Sequence, residues 1–162
     1  MQNMIKVGMA DLKVVKEPDA LTTLGLGSCV GIAIYDNLKK IAGLAHIMLP
    51  DSTLIKNNAN KAKFADTAIE IMIDEMIKQG ASMSRMTAKI TGGSQMFSFG
   101  NGSSDLMKIG YRNTVATKEI LGKLNIPILA EDTGGNHGRT IEFYSVNGDL
   151  QVKTIGHGIK II

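Results

Sequence analysis

The sequence holds one cysteine, Cys29, and no tryptophan. A single thiol excludes an internal disulfide and any multi-cysteine zinc centre. Aromatic residues make up 4% of the chain, too few for the stacking platforms that bind single-stranded nucleic acid. Neither sign of charge dominates. Eighteen Lys+Arg against fifteen Asp+Glu leave a net charge of +3, too small an excess to argue for a nucleic-acid partner. Long apolar runs are also missing. The longest, 41–49, is broken by Gly43 and His46 and falls well short of the ~20 residues that cross a bilayer. The segment from Met1 to Val7 lacks a charged stretch followed by an apolar one, so no signal peptide is expected. These absences predict a cytoplasmic protein with no membrane insertion, and an unpaired thiol fits a reducing compartment.

What remains is a globular composition: 44% hydrophobic and 20% charged over 162 residues. A chain of that length buries enough surface to fold without metal or disulfide staples. One domain, 1–162, is expected.

The first half reads as β-rich, with short strand candidates at 5–7, 12–15 and 21–24. Residues 29–35 (CVGIAIY) are apolar throughout, as in a strand covered on both faces. After a turn at 36–40, residues 41–49 run back as its antiparallel partner, and Pro50 ends that strand. Residues 51–60 are polar, and their three asparagines suggest a mobile surface loop. Phe64, Ala68, Met72 and Met76, widened by Ile69, Ile73 and Ile77, form the core stripe of a helix over 61–79, and Gly80 suits its C-terminal cap. A strand at 85–91 leads into a Gly/Ser-rich loop at 94–104. A second helix is expected over 111–124, with Val115, Ile120, Leu121 and Leu124 inward, then a strand at 126–130. Asn147-Gly148 marks a hairpin between 140–146 and 150–154. Strands in runs with two helices between them indicate an α+β chain.

Chemistry converges on Cys29. A lone cysteine is most often a small buried hydrophobe. This one follows Gly25-Leu26-Gly27-Ser28, a turn whose glycines allow close backbone approach. Main-chain amides at Gly27 and Ser28 in such a turn suit an oxyanion hole. A cysteine nucleophile also needs a base. His137 and His157 lie in glycine-flanked loops and read as surface residues. His46 lies inside an apolar strand, where a satisfied core histidine is the commoner reading. Pairing 29–35 with 41–49 so that positions sum to about 76 sets Cys29 near Ile47, beside His46. A one-residue slip would change the face each side chain occupies. The third member of such a site cannot be found from spacing. Other signals are weaker. The 25–30 segment lacks the third glycine of a dinucleotide fingerprint. Thr91-Gly92-Gly93 and Thr133-Gly134-Gly135 read as anion cradles or as plain turns.

Five segments, in order, resemble the CheD family of chemoreceptor glutamine deamidases. They are Thr23-Leu24-Gly25-Leu26-Gly27-Ser28-Cys29, Ala45-His46-Ile47-Met48-Leu49-Pro50-Asp51-Ser52, Gly92-Gly93-Ser94-Gln95-Met96-Phe97, Ile109-Gly110-Tyr111-Arg112-Asn113 and Ala130-Glu131-Asp132-Thr133-Gly134-Gly135-Asn136. The resemblance implies a single-domain α/β/β sandwich similar to the catalytic domain of the cytotoxic necrotizing factor toxins. It implies Cys29 as nucleophile, His46 as general base and Thr23 as the residue that orients His46, with no metal or cofactor. The implied substrates are methyl-accepting chemotaxis receptors. The CheC phosphatase is the implied partner, and a role as its regulatory binding partner with deamidation secondary is the alternative. The free protein is expected to be a monomer. The loops at 51–60 and 98–104 are candidate rims of the site, and Phe97 and Phe99 are candidates for a partner surface.

Overall fold

The computed structural model describes residues 1–95 and 108–162. The 98–104 rim, Phe97 and Phe99 lie outside them. The described chain forms ten strands and two α-helices. The strands are β1 (Met4–Lys6), β2 (Asp11–Lys16), β3 (Ala20–Leu26), β4 (Val30–Asp36), β5 (Ile41–Ile47), β6 (Met86–Gly92), β7 (Ile128–Thr133), β8 (Arg139–Tyr144), β9 (Leu150–Thr154) and β10 (Gly158–Ile161). The helices are α1 (Ala65–Lys78) and α2 (Ile109–Lys123).

The strands sort into two five-stranded sheets. The first has the order β1-β3-β8-β9-β10 and the second β2-β5-β4-β6-β7. Side-chain alternation explains how the layers stack. In β4, Val30, Ile32 and Ile34 join a core with Ile69, Met72 and Met76 of α1 and Leu121 of α2. Ala33 and Tyr35, together with Cys29 just before the strand, join a core with Leu21, Ile141 and Phe143 of the first sheet. The second sheet is therefore the middle layer, with helices on one face and the first sheet on the other. Every residue of β4 and β5 is buried, as the apolar runs predict for strands covered on both faces.

The β4–β5 register differs from the expectation by one residue. Asp36 pairs with Ile41, and the ladder continues through Gly31↔His46 to Val30↔Ile47, so paired positions sum to 77. The cause lies in the turn. Asp36 is the last strand residue, and its carboxylate accepts hydrogen bonds from the Leu38 and Lys39 amides at 3.0 and 3.1 Å. Lys40 takes φ of 54° and closes a turn one residue shorter than expected. The difference decides the site. The expected register would put Cys29 and His46 on opposite faces of the sheet, whereas the observed one puts both on the face toward the first sheet.

Other differences are local. Helix α1 starts after a separate short turn at Lys61–Lys63, and Ile77 stays 45% exposed at the edge of its stripe. The asparagines of the 51–60 loop act as ties: Asn58 donates to the Ser52 carbonyl, Asn60 donates to the Ala10 carbonyl, and Asn60 also accepts from the Ala62 amide. Strand β7 lies later than expected, and β10 was not anticipated because its four residues are all exposed. The buried side of α2 carries Asn113, Thr114 and Thr117 beside Leu121, whereas Val115 is only half-buried.

The turn carboxylate also anchors the far end of the middle sheet. Arg85 binds Asp36 through Nε and Nη2 at 2.9–3.2 Å, and the Ser82 amide adds a bond at 2.9 Å. Burial by itself would raise the Asp36 pKa. The Arg85 hydrogen bonds, with the Ser82 and Lys39 amides, overcome burial and hold it at about 2. An unfolded aspartate titrates near roughly 3.9, so the depressed value stabilises the fold above that pH by on the order of 2–3 kcal/mol. The contribution fades as pH falls from about 4 through 2. Asp36→Asn is expected to lower unfolding free energy by about 2–3 kcal/mol at pH 7 in urea titrations, with the gap to wild type narrowing toward pH 2. A gap that does not change with pH would remove the carboxylate from this account.

Candidate active site

The chain changes sheets at Gly27-Ser28-Cys29, between β3 of the first sheet and β4 of the second. A bulge precedes the corner: Thr23 pairs with Ile141 and Leu26 with Arg139, so two residues of β3 face one of β8. Gly25 takes φ of 69° there. The extra residue resets the alternation, so Thr23 and Leu26 both point inward and are fully buried.

Inward-facing Thr23 meets His46 across the gap between sheets, with Oγ1 2.7 Å from Nδ1. The same hydroxyl donates to the Val7 carbonyl at 2.7 Å. Thr23 has one hydroxyl proton and it is committed to Val7, so the imidazole must donate from Nδ1. The neutral ring then carries its lone pair on Nε2. That nitrogen is buried and has no hydrogen-bond partner among the described residues. The ring is therefore held by one nitrogen and free to act as a base through the other.

Cys29 lies one step beyond the Val30↔Ile47 pair and on the same face as His46. Diagonal positions of this kind are roughly 7–8 Å apart along the backbone, within reach of long side chains. The cysteine is 7% exposed, and burial pushes its pKa up, with its own backbone amide opposing that in part. Burial lowers the His46 pKa. Both shifts favour an uncharged resting pair over a thiolate–imidazolium pair.

The turn is held tightly. Gly27 donates to the Gly25 carbonyl at 3.0 Å, and the Gly27 and Cys29 carbonyls accept from the Ser94 and Gly93 amides at 2.8 and 2.9 Å. Gly27 thus serves the turn and its amide is not available to a substrate. The Ser28 and Cys29 amides have no hydrogen-bond partner among the described residues. Gly92 has φ of 104°, and a Cβ there would collide with the Cys29 carbonyl oxygen. The two glycine pairs clasp each other: Gly134 donates to the Gly92 carbonyl at 3.0 Å. Buried Arg139 spans them, bonding the Gly92 and Gly134 carbonyls and the Ser94 hydroxyl at 3.3, 3.0 and 2.7 Å. They act as turns around a guanidinium.

Two residues here escaped the sequence reading. Arg139 offers no periodic signal as a lone cation opening a strand. Asn113 bonds the Ser28 and Met48 carbonyls, and its traces in sequence are its place at the end of the 109–113 segment and a polar stripe with Thr114 and Thr117 on a helix face that ought to be apolar. His137 and His157 meet each other, with their Nε2 atoms 2.8 Å apart. Among the described residues no three His, Cys, Asp or Glu side chains are placed to hold a metal ion, and no helix is long and apolar enough to cross a membrane.

Comparison with known proteins follows this geometry. The family model described as CheD chemotactic sensory transduction matches residues 48–154. The probable chemoreceptor glutamine deamidase CheD of Caldanaerobacter subterraneus subsp. tengcongensis is 64% identical over 98% of this chain and 97% of its own. The chemoreceptor glutamine deamidases CheD of Halalkalibacterium halodurans and Bacillus subtilis are 51% and 52% identical, covering 100% and 98% of this chain and 100% and 95% of theirs. Among solved structures, the Bacillus licheniformis hypothetical protein YfiH aligns with a TM-score of 0.46 and 17% identity over 76% of this chain. The chain spans 50% of that protein's length, and the likeness carries no argument.

An uncharged resting thiol predicts slow alkylation. Iodoacetamide is expected to modify Cys29 at pH 7 at least about tenfold more slowly than free cysteine, with the rate still climbing at pH 9. A rate already level by pH 7 would mean a thiolate–imidazolium pair instead.

Proposed function

The chain belongs to the CheD family, and from that premise we propose that it deamidates glutamine side chains of methyl-accepting chemotaxis receptors with Cys29 as nucleophile. The observation that carries the assignment is the Thr23–His46 bond, which leaves a bare Nε2 on the face that Cys29 occupies.

In the proposed reaction His46 Nε2 takes the Cys29 proton as sulfur attacks the carboxamide carbon. The negative charge collects on the amide oxygen, toward which the Ser28 and Cys29 amides donate. Protonated His46 gives its proton to the nitrogen, and ammonia leaves a thioester. Water then attacks that thioester, His46 takes its proton, and the thiolate departs and is reprotonated, leaving glutamate. Thr23 is neutral, so it orients the imidazolium more than it stabilises its charge. Burial lowers the His46 pKa, which keeps the ring unprotonated and ready as a base at neutral pH.

The new glutamates would supply methylation sites, which ties the reaction to chemotactic adaptation. The family resemblance also supports CheC as a partner, a single cytoplasmic domain that is monomeric when free, and a likeness to the cytotoxic necrotizing factor catalytic domain through the shared Cys–His pattern. Mass spectrometry of a receptor cytoplasmic fragment should show gains of about one dalton at glutamine with matching ammonia release. Cys29→Ala and His46→Ala should abolish both. Thr23→Val should lower kcat roughly 100-fold, the low end of what a positioned proton-transfer group contributes, because the base itself is retained. Near wild-type turnover in Cys29→Ala or His46→Ala would refute the assignment. Loss of CheC binding with ammonia release unchanged, after changes at Phe97 or Phe99, would separate the partner surface from the deamidase site.

A further inference from the structure

Asn113 sits on the buried side of α2, and its side chain is fully buried. Its Nδ2 donates to the Ser28 carbonyl at 2.9 Å and to the Met48 carbonyl at 3.0 Å. Two carbonyl partners require the NH2 end of the amide at that spot. The Oδ1 end is buried with no partner among the described residues. Leaving a buried acceptor unsatisfied is destabilising, and the two Nδ2 bonds are kept despite that cost.

Peptide geometry links the first bond to the chemistry. The Ser28–Cys29 peptide is trans, so its carbonyl and its N–H point in opposite directions from one rigid plane. Whatever holds the Ser28 oxygen aims the Cys29 amide. That amide belongs to the cysteine itself and has no hydrogen-bond partner among the described residues, so it is free to face an oxyanion formed by attack of the adjacent sulfur. The neighbouring planes are fixed too, through the Gly27 and Cys29 carbonyls and the Ser94 and Gly93 amides. The second Asn113 bond reaches Met48, two residues past His46. One carboxamide therefore ties the nucleophile's peptide plane to the end of the base's strand. The helix can come this close because Gly110 lacks a Cβ, which would collide with the Ser94 carbonyl.

We infer that Asn113 is a positioning residue for the oxyanion: by holding the Ser28 carbonyl it directs the Cys29 amide at the developing negative charge. The inference rests on the deamidase reading, in which Cys29 attacks a carboxamide. Asn113 itself touches neither sulfur nor substrate.

The test separates oxyanion chemistry from thiol chemistry. Asn113→Asp keeps the shape and replaces both donors with acceptors, and Asn113→Ala removes them. Deamidation of a receptor cytoplasmic fragment should lose roughly 100-fold or more in kcat, as removal of one oxyanion donor does elsewhere, with KM little changed. Alkylation of Cys29 by iodoacetamide develops no oxyanion, so in Asn113→Ala its limiting rate at high pH, where the thiol is fully ionised, should stay within about twofold of wild type. A variant whose kcat remains above half of wild type overturns the inference. So does a variant that loses alkylation and deamidation in parallel, because the residue would then be only a structural support. Should both variants fail to fold, side-chain amide exchange in the wild-type protein decides. Both Asn113 Nδ2 protons must exchange with solvent more slowly than those of exposed Asn57, and comparable exchange overturns the clamp. Cys29→Ala measured alongside keeps the two readings apart. Ammonia release in Cys29→Ala defeats the deamidase reading itself, whereas a dead Cys29→Ala beside an active Asn113→Asp defeats only the positioning role.

Discussion

The hydroxyl of Thr23 stands between the Val7 carbonyl and the His46 ring, and the site depends on which way its one proton points. Because the proton goes to Val7, the ring donates from Nδ1 and keeps Nε2 bare. Three parts of the chain must agree for this. Val7 follows β1, which runs parallel to β3. Thr23 must face inward just before a bulge, and His46 must face the same gap from the other sheet. The contact is thus a joint between layers, and the stacking of the two sheets determines a tautomer.

The second constraint is closeness of backbone. Gly92 and Gly110 stand where a Cβ would collide with the carbonyls of Cys29 and Ser94. The β6 end and the first turn of α2 are drawn against the cysteine corner at those points, and Arg139 fills the space behind with a guanidinium that bonds carbonyls on both glycine turns. Polar groups are buried here in unusual number because irregular backbone must be satisfied somewhere.

Much of this was legible in the sequence because it rests on periodicity or on local turn chemistry. The apolar runs gave β4 and β5, the four-residue spacing gave α1, and the glycine turn marked Cys29. The β4–β5 register was misread by one residue because the Asp36 side chain shortened the turn, and composition at 36–40 does not announce that. His46 was found through its place in an apolar strand. Thr23 came only from the family resemblance, since a partner 23 residues away on another sheet leaves no spacing signal. Asn113 bonds carbonyls 85 and 65 residues away in sequence, and Arg139 joins one 47 residues away to one 5 residues away; neither periodicity nor turn residues encode such bonds. Strand β10 was missed because an exposed edge strand lacks the alternation that betrays a half-buried one.

The burial of Cys29 bears on durability. Peroxides and other oxidants react with the thiolate, and the product ladder from sulfenic to sulfonic acid begins there. A sole thiol that is 7% exposed, with its pKa raised by that burial, presents less thiolate to diffusing oxidants than a free cysteine does. With no second cysteine in the chain, an intramolecular disulfide could not rescue a sulfenic acid once formed. Burial therefore protects the one thiol of a chain that has no second cysteine to repair it.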